Sequence, residues 1–182
     1  FYDLIFPLFL FITCVAITLA LPKQVEREGK AKAHLRVAKR ALLLYVLGLI
    51  YYGGLSGDFD HIRYVGVLQR IAVCYLAASI LLLNLRWRGL VATTIILIGG
   101  YWALMTFVPV PGVGAGSYAP NANLANWLDT KFLPGRMWDK TRDPEGLLST
   151  LPAIATCLIG VLSGILLRRP DISASQKSAW LI

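Results

Sequence analysis

The chain has 182 residues, 57% of them hydrophobic and 15% charged, with a mean hydropathy of +0.62 and a net charge of +8. That balance excludes an ordinary water-soluble domain, because the apolar residues fall in long blocks rather than at amphipathic spacing. Nor does the positive charge point to nucleic acid, since the basic residues carry no aromatic platform and no DNA-reading motif.

A membrane-crossing helix needs about 20 residues at a rise of about 1.5 Å each. Five blocks meet or approach that length: about 3–21, 38–54, 65–85, 89–109 and 147–167. The expected fold class is all-α, a polytopic transmembrane helix bundle with about five spans in residues 1–182, a part of one domain. The first block is rich in Phe and Pro and lacks the basic start of a signal peptide. Phe1-Tyr2-Asp3 leads straight into it, and Ser178-Ala179-Trp180-Leu181-Ile182 resembles the start of a further apolar segment. The expectation is an internal piece of a larger protein.

After the first span comes a basic segment with Lys23, Arg27, Lys30, Lys32, Arg36, Lys39 and Arg40. Lys32, Arg36 and Arg40 follow i, i+4, i+8 spacing and form one stripe on a helix. Such a stripe serves anionic lipid headgroups, the phosphates of a nucleotide cofactor, or topology alone. Arg86, Arg88, Arg168, Arg169 and Lys177 fall on the same side of the membrane when the spans alternate. By the positive-inside rule that side is cytoplasmic, so Phe1 begins on the outer face. Most carboxylates then belong to outer loops, among them Asp58, Asp60, Asp129, Asp139, Asp143 and Glu145.

The third span opens with Asp58-Phe59-Asp60-His61-Ile62-Arg63 and continues through Gly66-Val67-Leu68-Gln69-Arg70. An arginine at the centre of a membrane helix costs at least ~2.5–3.5 kcal/mol on insertion scales, so Arg70 marks a polar cavity or a buried partner. Arg63, Gly66 and Arg70 share a face if the helix starts near Arg63, with Gln69 beside them. A guanidinium at that depth suits a carboxylate, a phosphate or an oxyanion, and an ion pair with Asp3 or Glu145 is the structural alternative.

Residues 110–146 form the one long loop. Its Pro- and Gly-punctuated start excludes regular structure, and a short amphipathic helix is predicted over Asn123 to Lys131. Tyr118, Trp127, Phe132 and Trp138 either stack on a sugar ring or form an interfacial belt. Asp143-Pro144-Glu145 then has the composition of a helix start, with Asp143 as N-cap, Pro144 at the first helical position and Glu145 at the positive end of the dipole. Ser149, Thr150 and Pro152 follow within two turns and suit a cavity wall. Gly160 and Gly164 form a Gly-x-x-x-Gly pair for packing within the chain or in a homo-oligomer. Cys14, Cys74 and Cys157 lie in apolar blocks with no metal-ligand spacing, and they are expected to be packed hydrophobes.

Three segments in this order, Asp3-Leu4-Ile5-Phe6-Pro7, Gly66-Val67-Leu68-Gln69-Arg70-Ile71-Ala72 and Asp143-Pro144-Glu145-Gly146-Leu147-Leu148-Ser149-Thr150-Leu151-Pro152, resemble the heparan-α-glucosaminide N-acetyltransferase family of transmembrane acyltransferases. The resemblance implies transfer of an acetyl group from acetyl-CoA on the cytoplasmic side to the amino group of a sugar or glycan on the outer side. It implies residence in the bilayer, in the inner membrane if the source is bacterial. It also places a catalytic histidine just upstream of the Asp3 motif. That histidine has no counterpart here, His61 is no substitute for it, and the piece alone is expected to be inactive. In this reading Arg70 and Gln69 bind the thioester carbonyl or oxyanion, and Asp3 positions the upstream histidine. Asp143, Glu145, Ser149, Thr150, Arg63 and Trp138 contact the acceptor, and Lys32, Arg36 and Arg40 bind the co-substrate. A transporter or flippase using Arg70 and the outer carboxylates as a relay is the competing expectation.

Overall fold

The apolar blocks become helices because a chain in lipid must satisfy its backbone polar groups within each segment. The computed structural model describes residues 2–54, 62–139, 141–171, 173 and 176–177, with side chains from Leu4 onward. Among these residues six α-helices follow one another: α1 Tyr2–Glu28, α2 Lys30–Leu49, α3 Val67–Asn84, α4 Trp87–Phe107, α5 Leu124–Phe132 and α6 Thr150–Leu167. A π-helical turn, Ile50–Gly54, extends α2. This is an all-helical membrane bundle.

Among the described residues, four helical stretches are long and apolar enough to cross a membrane: Leu4–Glu28, Val67–Asn84, Trp87–Phe107 and Thr150–Leu167. The expected span at 38–54 is helical but falls outside that class. Its apolar part is the second half of a helix that begins among Lys30, Lys32, Arg36, Lys39 and Arg40. The basic segment is thus almost entirely helix, broken only at Gly29. There φ is +83°, in the left-handed region that an L side chain resists, and the chain reverses from α1 into α2.

Helix α6 is the hub and packs against α1, α4 and α3, while α2 packs mainly on α3. Leu10, Cys14 and Ile17 of α1 meet Cys74 and Ala78 of α3 and Cys157, Leu158 and Val161 of α6 in one buried cluster. The glycine pair of α6 is used inside the chain. A Cβ on Gly160 would strike the Phe11 carbonyl of α1, and one on Gly164 would strike the Thr18 side chain. Beyond Gly164, Arg168 donates to the Thr18 carbonyl at 2.8 Å, closing the same helix pair.

A second apolar cluster, Met105, Val110, Leu124 and Leu148, seats α5 over the end of α4 and the approach to α6. Helix α5 begins where the pattern predicts, with the Asn123 side chain accepting the Asn126 N–H at 2.9 Å as its N-cap.

Candidate active site between α1, α3 and α6

The residues that converge here come from three places in the chain. Arg63 precedes α3 in an extended stretch, bridged antiparallel to Gly135 of the long loop. Gly135 has φ +71°, and a Cβ there would collide with the Ile62 carbonyl, so glycine is what allows the two strands of chain to touch. The Arg136 N–H donates to that same carbonyl at 3.0 Å. Helix α3 therefore starts at Val67, later than the shared face of Arg63, Gly66 and Arg70 requires. The two arginines reach the site from different elements.

Arg63 is 5% exposed and Asp143 6%. Arg63 Nε donates to Asp143 Oδ2 at 3.0 Å and Nη2 to Oδ1 at 2.6 Å, and Nη2 also donates to Glu145 Oε2. Asp143 accepts two further bonds, from the N–H of Trp138 at 2.9 Å and of Glu145 at 3.0 Å. The guanidinium lies 5.2 Å from the ring centroids of both Tyr52 and Trp138, a geometry in which the aromatic quadrupoles favour the cation. Burial alone would lower the affinity of Arg63 for its proton, but Asp143 and then Glu145 raise it above the ordinary value. Glu145 moves upward as well. Its burial, opposed by Arg63, holds its carboxyl above the usual range.

Asp143 is consequently not the N-cap of the last helix. Its carboxylate is consumed by Arg63 and by two main-chain donors, and α6 begins only at Thr150. Residues 143–149 instead form a run of turns, with Gly146 N–H donating to the Asp143 carbonyl and Thr150 N–H to that of Leu147. Ser149 and Thr150 turn their hydroxyls back onto this run. Ser149 donates to the carbonyls of Pro144 and Gly146, and Thr150 to that of Gly146.

Arg70 grips the same turns by their backbone. Nη1 donates to the Pro144 carbonyl at 2.6 Å and Nη2 to the Ser149 carbonyl, while the guanidinium stands 5.8 Å from the Phe6 ring centroid. Its Nε is buried with no hydrogen-bond partner among the described residues. The ion pair with Glu145 thus gives way to a clamp on carbonyls, Glu145 pairing with Arg63 instead, while the alternative with Asp3 lies outside the described side chains.

These groups wall a cavity of about 800 Å³ between α1, α3 and α6, whose polar lining is Arg70, Glu145, Ser149 and Thr156. Its remaining walls are apolar, Phe6 and Leu10 of α1 and Val67 and Ile71 of α3 among them. Arg63, Asp143, Thr150 and Trp138 stand behind this wall or beside it. Gln69 points away. It is 1% exposed and lies between α2 and α3, where its amide donates to the Arg63 carbonyl at 3.2 Å and its oxygen would contact a Cβ on Gly48 at 2.6 Å. Asp3 heads α1, but its side chain, like His61, Asp58 and Asp60, lies outside the described residues.

A second cavity, about 340 Å³, runs between α1, α2 and α3 and shares Phe9 and Ile71 with the first. Its far end carries Gln24 and Arg40. Of the basic stripe only Arg40 lines it; Arg36 pairs on the surface with Glu28 at 2.7 Å, and Lys32 is exposed. The loop aromatics do not form one platform: Trp138 covers Arg63, Tyr118 meets the Thr106 hydroxyl at 2.7 Å, Trp127 joins the second core cluster and Phe132 is exposed. Sequence reasoning missed Tyr52, Asp129 and the Pro144 and Ser149 carbonyls, since side-chain chemistry gives no signal for a main-chain acceptor.

Fold and site together define a multi-pass membrane protein with an arginine–carboxylate cluster set at one end of a cavity between its helices. The family model described as "Heparan-alpha-glucosaminide N-acetyltransferase, catalytic" matches residues 1–181, and the chain belongs to this family of membrane acyltransferases. Among curated proteins it is 28% identical over 218 residues to "Heparan-alpha-glucosaminide N-acetyltransferase" of Homo sapiens, covering 91% of this chain and 32% of that protein. It is 26% identical to the protein of the same name from Mus musculus, covering 91% and 33%. The chain spans about a third of the length of these curated relatives.

Proposed function

We propose that the chain forms part of a membrane-bound N-acetyltransferase that moves an acetyl group from acetyl-CoA to the amino group of a sugar across the bilayer. The observation that supports this reading best is the pair of adjacent cavities that share Phe9 and Ile71 in their walls. An elongated thioester whose phosphates rest near Arg40 and Gln24 would bring its acyl end to Ile71, the neighbour of Arg70 in sequence. The basic end of the bundle is then cytoplasmic and the Arg70 end outer, as the distribution of Lys and Arg argues.

In this reading Glu145, the carboxylate that lines the cavity, orients the amino group of the acceptor. Asp143 acts through Arg63, and Arg63 holds Glu145. The amine nitrogen attacks the thioester carbon, the C–S bond breaks, and coenzyme A leaves as its thiol with the proton released by the amine. Arg70, its Nη groups fixed on two carbonyls, offers the developing oxyanion a preorganised positive charge. A general base that takes the proton of the acceptor amine completes the set. Gln69 supports Arg63 from behind rather than touching substrate.

The test uses the complete protein in sealed vesicles, with labelled acetyl-CoA at the basic face and glucosamine at the other. Labelled N-acetylglucosamine that is lost with Arg70→Ala supports the reading. Saturable movement of unmodified sugar without product would transfer the protein to the transporter class.

A further inference from the structure

Asp129 lies on α5, in the long loop, and is 2% exposed. A carboxylate stays buried only where donors satisfy it. Its Oδ1 accepts the Leu147 N–H at 2.9 Å, and its Oδ2 lies so close to Gly146 that a Cβ there would overlap it. Gly146 and Leu147 stand between Pro144 and Ser149, the two residues whose carbonyls hold Arg70. Leu124 of α5 and Leu148 of the turn also belong to one buried apolar cluster, so helix and turn are joined by packing as well as by the carboxylate.

We propose that Asp129 is a positioning residue, which fixes the Gly146–Leu147 backbone from the loop side and thereby keeps the Pro144 and Ser149 carbonyls spaced to hold Arg70 in the cavity wall. The long loop and the cavity are then one mechanical unit. A capping role confined to the loop would leave Arg70 untouched. This inference concerns the geometry of the cavity and does not depend on the reaction performed there.

The experiment treats the complete protein with phenylglyoxal, which modifies accessible guanidinium groups, and follows Arg70 by peptide mass spectrometry against exposed Arg86. Asp129→Ala is expected to raise the modification rate of Arg70 by about fivefold, the scale of one lost hydrogen bond. Asp129→Asn keeps an oxygen for the Leu147 N–H and is expected to stay close to wild type. Gly146→Ala, which pushes an intact Asp129 off the turn, is expected to raise the rate as Asp129→Ala does, with no further rise in the double variant. An unchanged Arg70 rate in Asp129→Ala, with or without a lowered melting temperature, overturns the proposal. If Asp129→Ala does not fold, wild-type protection of Arg70 in Gly146→Ala overturns it equally. Acetyl transfer measured in parallel separates the two ideas: its absence from the wild-type protein would end the enzymatic reading and leave the arginine result intact.

Discussion

Arg63 and Asp143, 80 positions apart in sequence, face each other through two parallel hydrogen bonds of 3.0 and 2.6 Å, with the aspartate side chain wholly out of solvent. A guanidinium fork and a carboxylate match in this geometry, which resists substitution by lysine or asparagine. The pair joins the segment before α3 to the turns before α6, and everything at the Arg70 end of the cavity is built on that join.

Removing one side of such a pair leaves a buried charge behind. Asp143→Ala strips Arg63 of its two-bond partner and also frees the Trp138 and Glu145 N–H groups, so a loss of about 3 kcal/mol in unfolding free energy is expected. Asp143→Asn keeps an acceptor for one donor and should cost less. Denaturant unfolding of the two variants beside wild type checks both the size and the order.

The contact between α1 and α6 leaves no room for a side chain at Gly160. Gly160→Val is expected to push the helices apart and destabilise the protein by about 1–3 kcal/mol, the usual scale for overpacking a closed interface. Valine at Gly99, whose Cβ position is open, serves as the control. Equal melting temperatures for the two variants would contradict the close approach to the Phe11 carbonyl.

Stability should also carry the signature of Glu145. Burial raises its carboxyl pKa despite Arg63, so the folded chain binds its proton more tightly than the unfolded one. The stability this provides is complete below the unfolded pKa and is lost as pH rises through the folded value. Asp129, raised chiefly by burial, acts in the same direction. Melting temperatures measured between about pH 4 and 7 should therefore show a downward component with rising pH, which Glu145→Gln reduces and does not abolish.

Cys14, Cys74 and Cys157 are each at most 1% exposed and sit in the cluster that joins α1, α3 and α6. A thiol shut away in apolar surroundings is a poor nucleophile. Membrane-permeant maleimide is expected to leave all three unlabelled in the folded protein and to label them after denaturation. Rapid labelling of Cys74 in the native state would show that water reaches the core beneath Arg70.

Part of this was written plainly in the chain. Arg70 stands out because a charge in an apolar block demands a partner, and the helix after Asn123 follows from its cap and its apolar spacing. The start of α6 was hidden, because Asp143 has the local chemistry of an N-cap and tertiary donors captured it first. The fate of 38–54 depended on α2 beginning within the basic segment, which block length alone does not reveal. Arg63 reaches its position through a bridge to Gly135, and no local pattern announces a contact between segments so far apart. In the sequence Asp129 is one more loop carboxylate, because its contacts with Gly146 and Leu147 come from the fold and not from any local spacing.

Helices α1 and α6 approach so closely that a Cβ on Gly160 would meet the Phe11 carbonyl and one on Gly164 the Thr18 side chain. They pack as a single strut. Helix α3 is tied to that strut twice at the cavity's polar end, by the Arg63–Asp143 pair just before it and by the grip of Arg70 on two carbonyls. The arginine that a lipid environment penalises is thus also a tie between two walls of the cavity it lines.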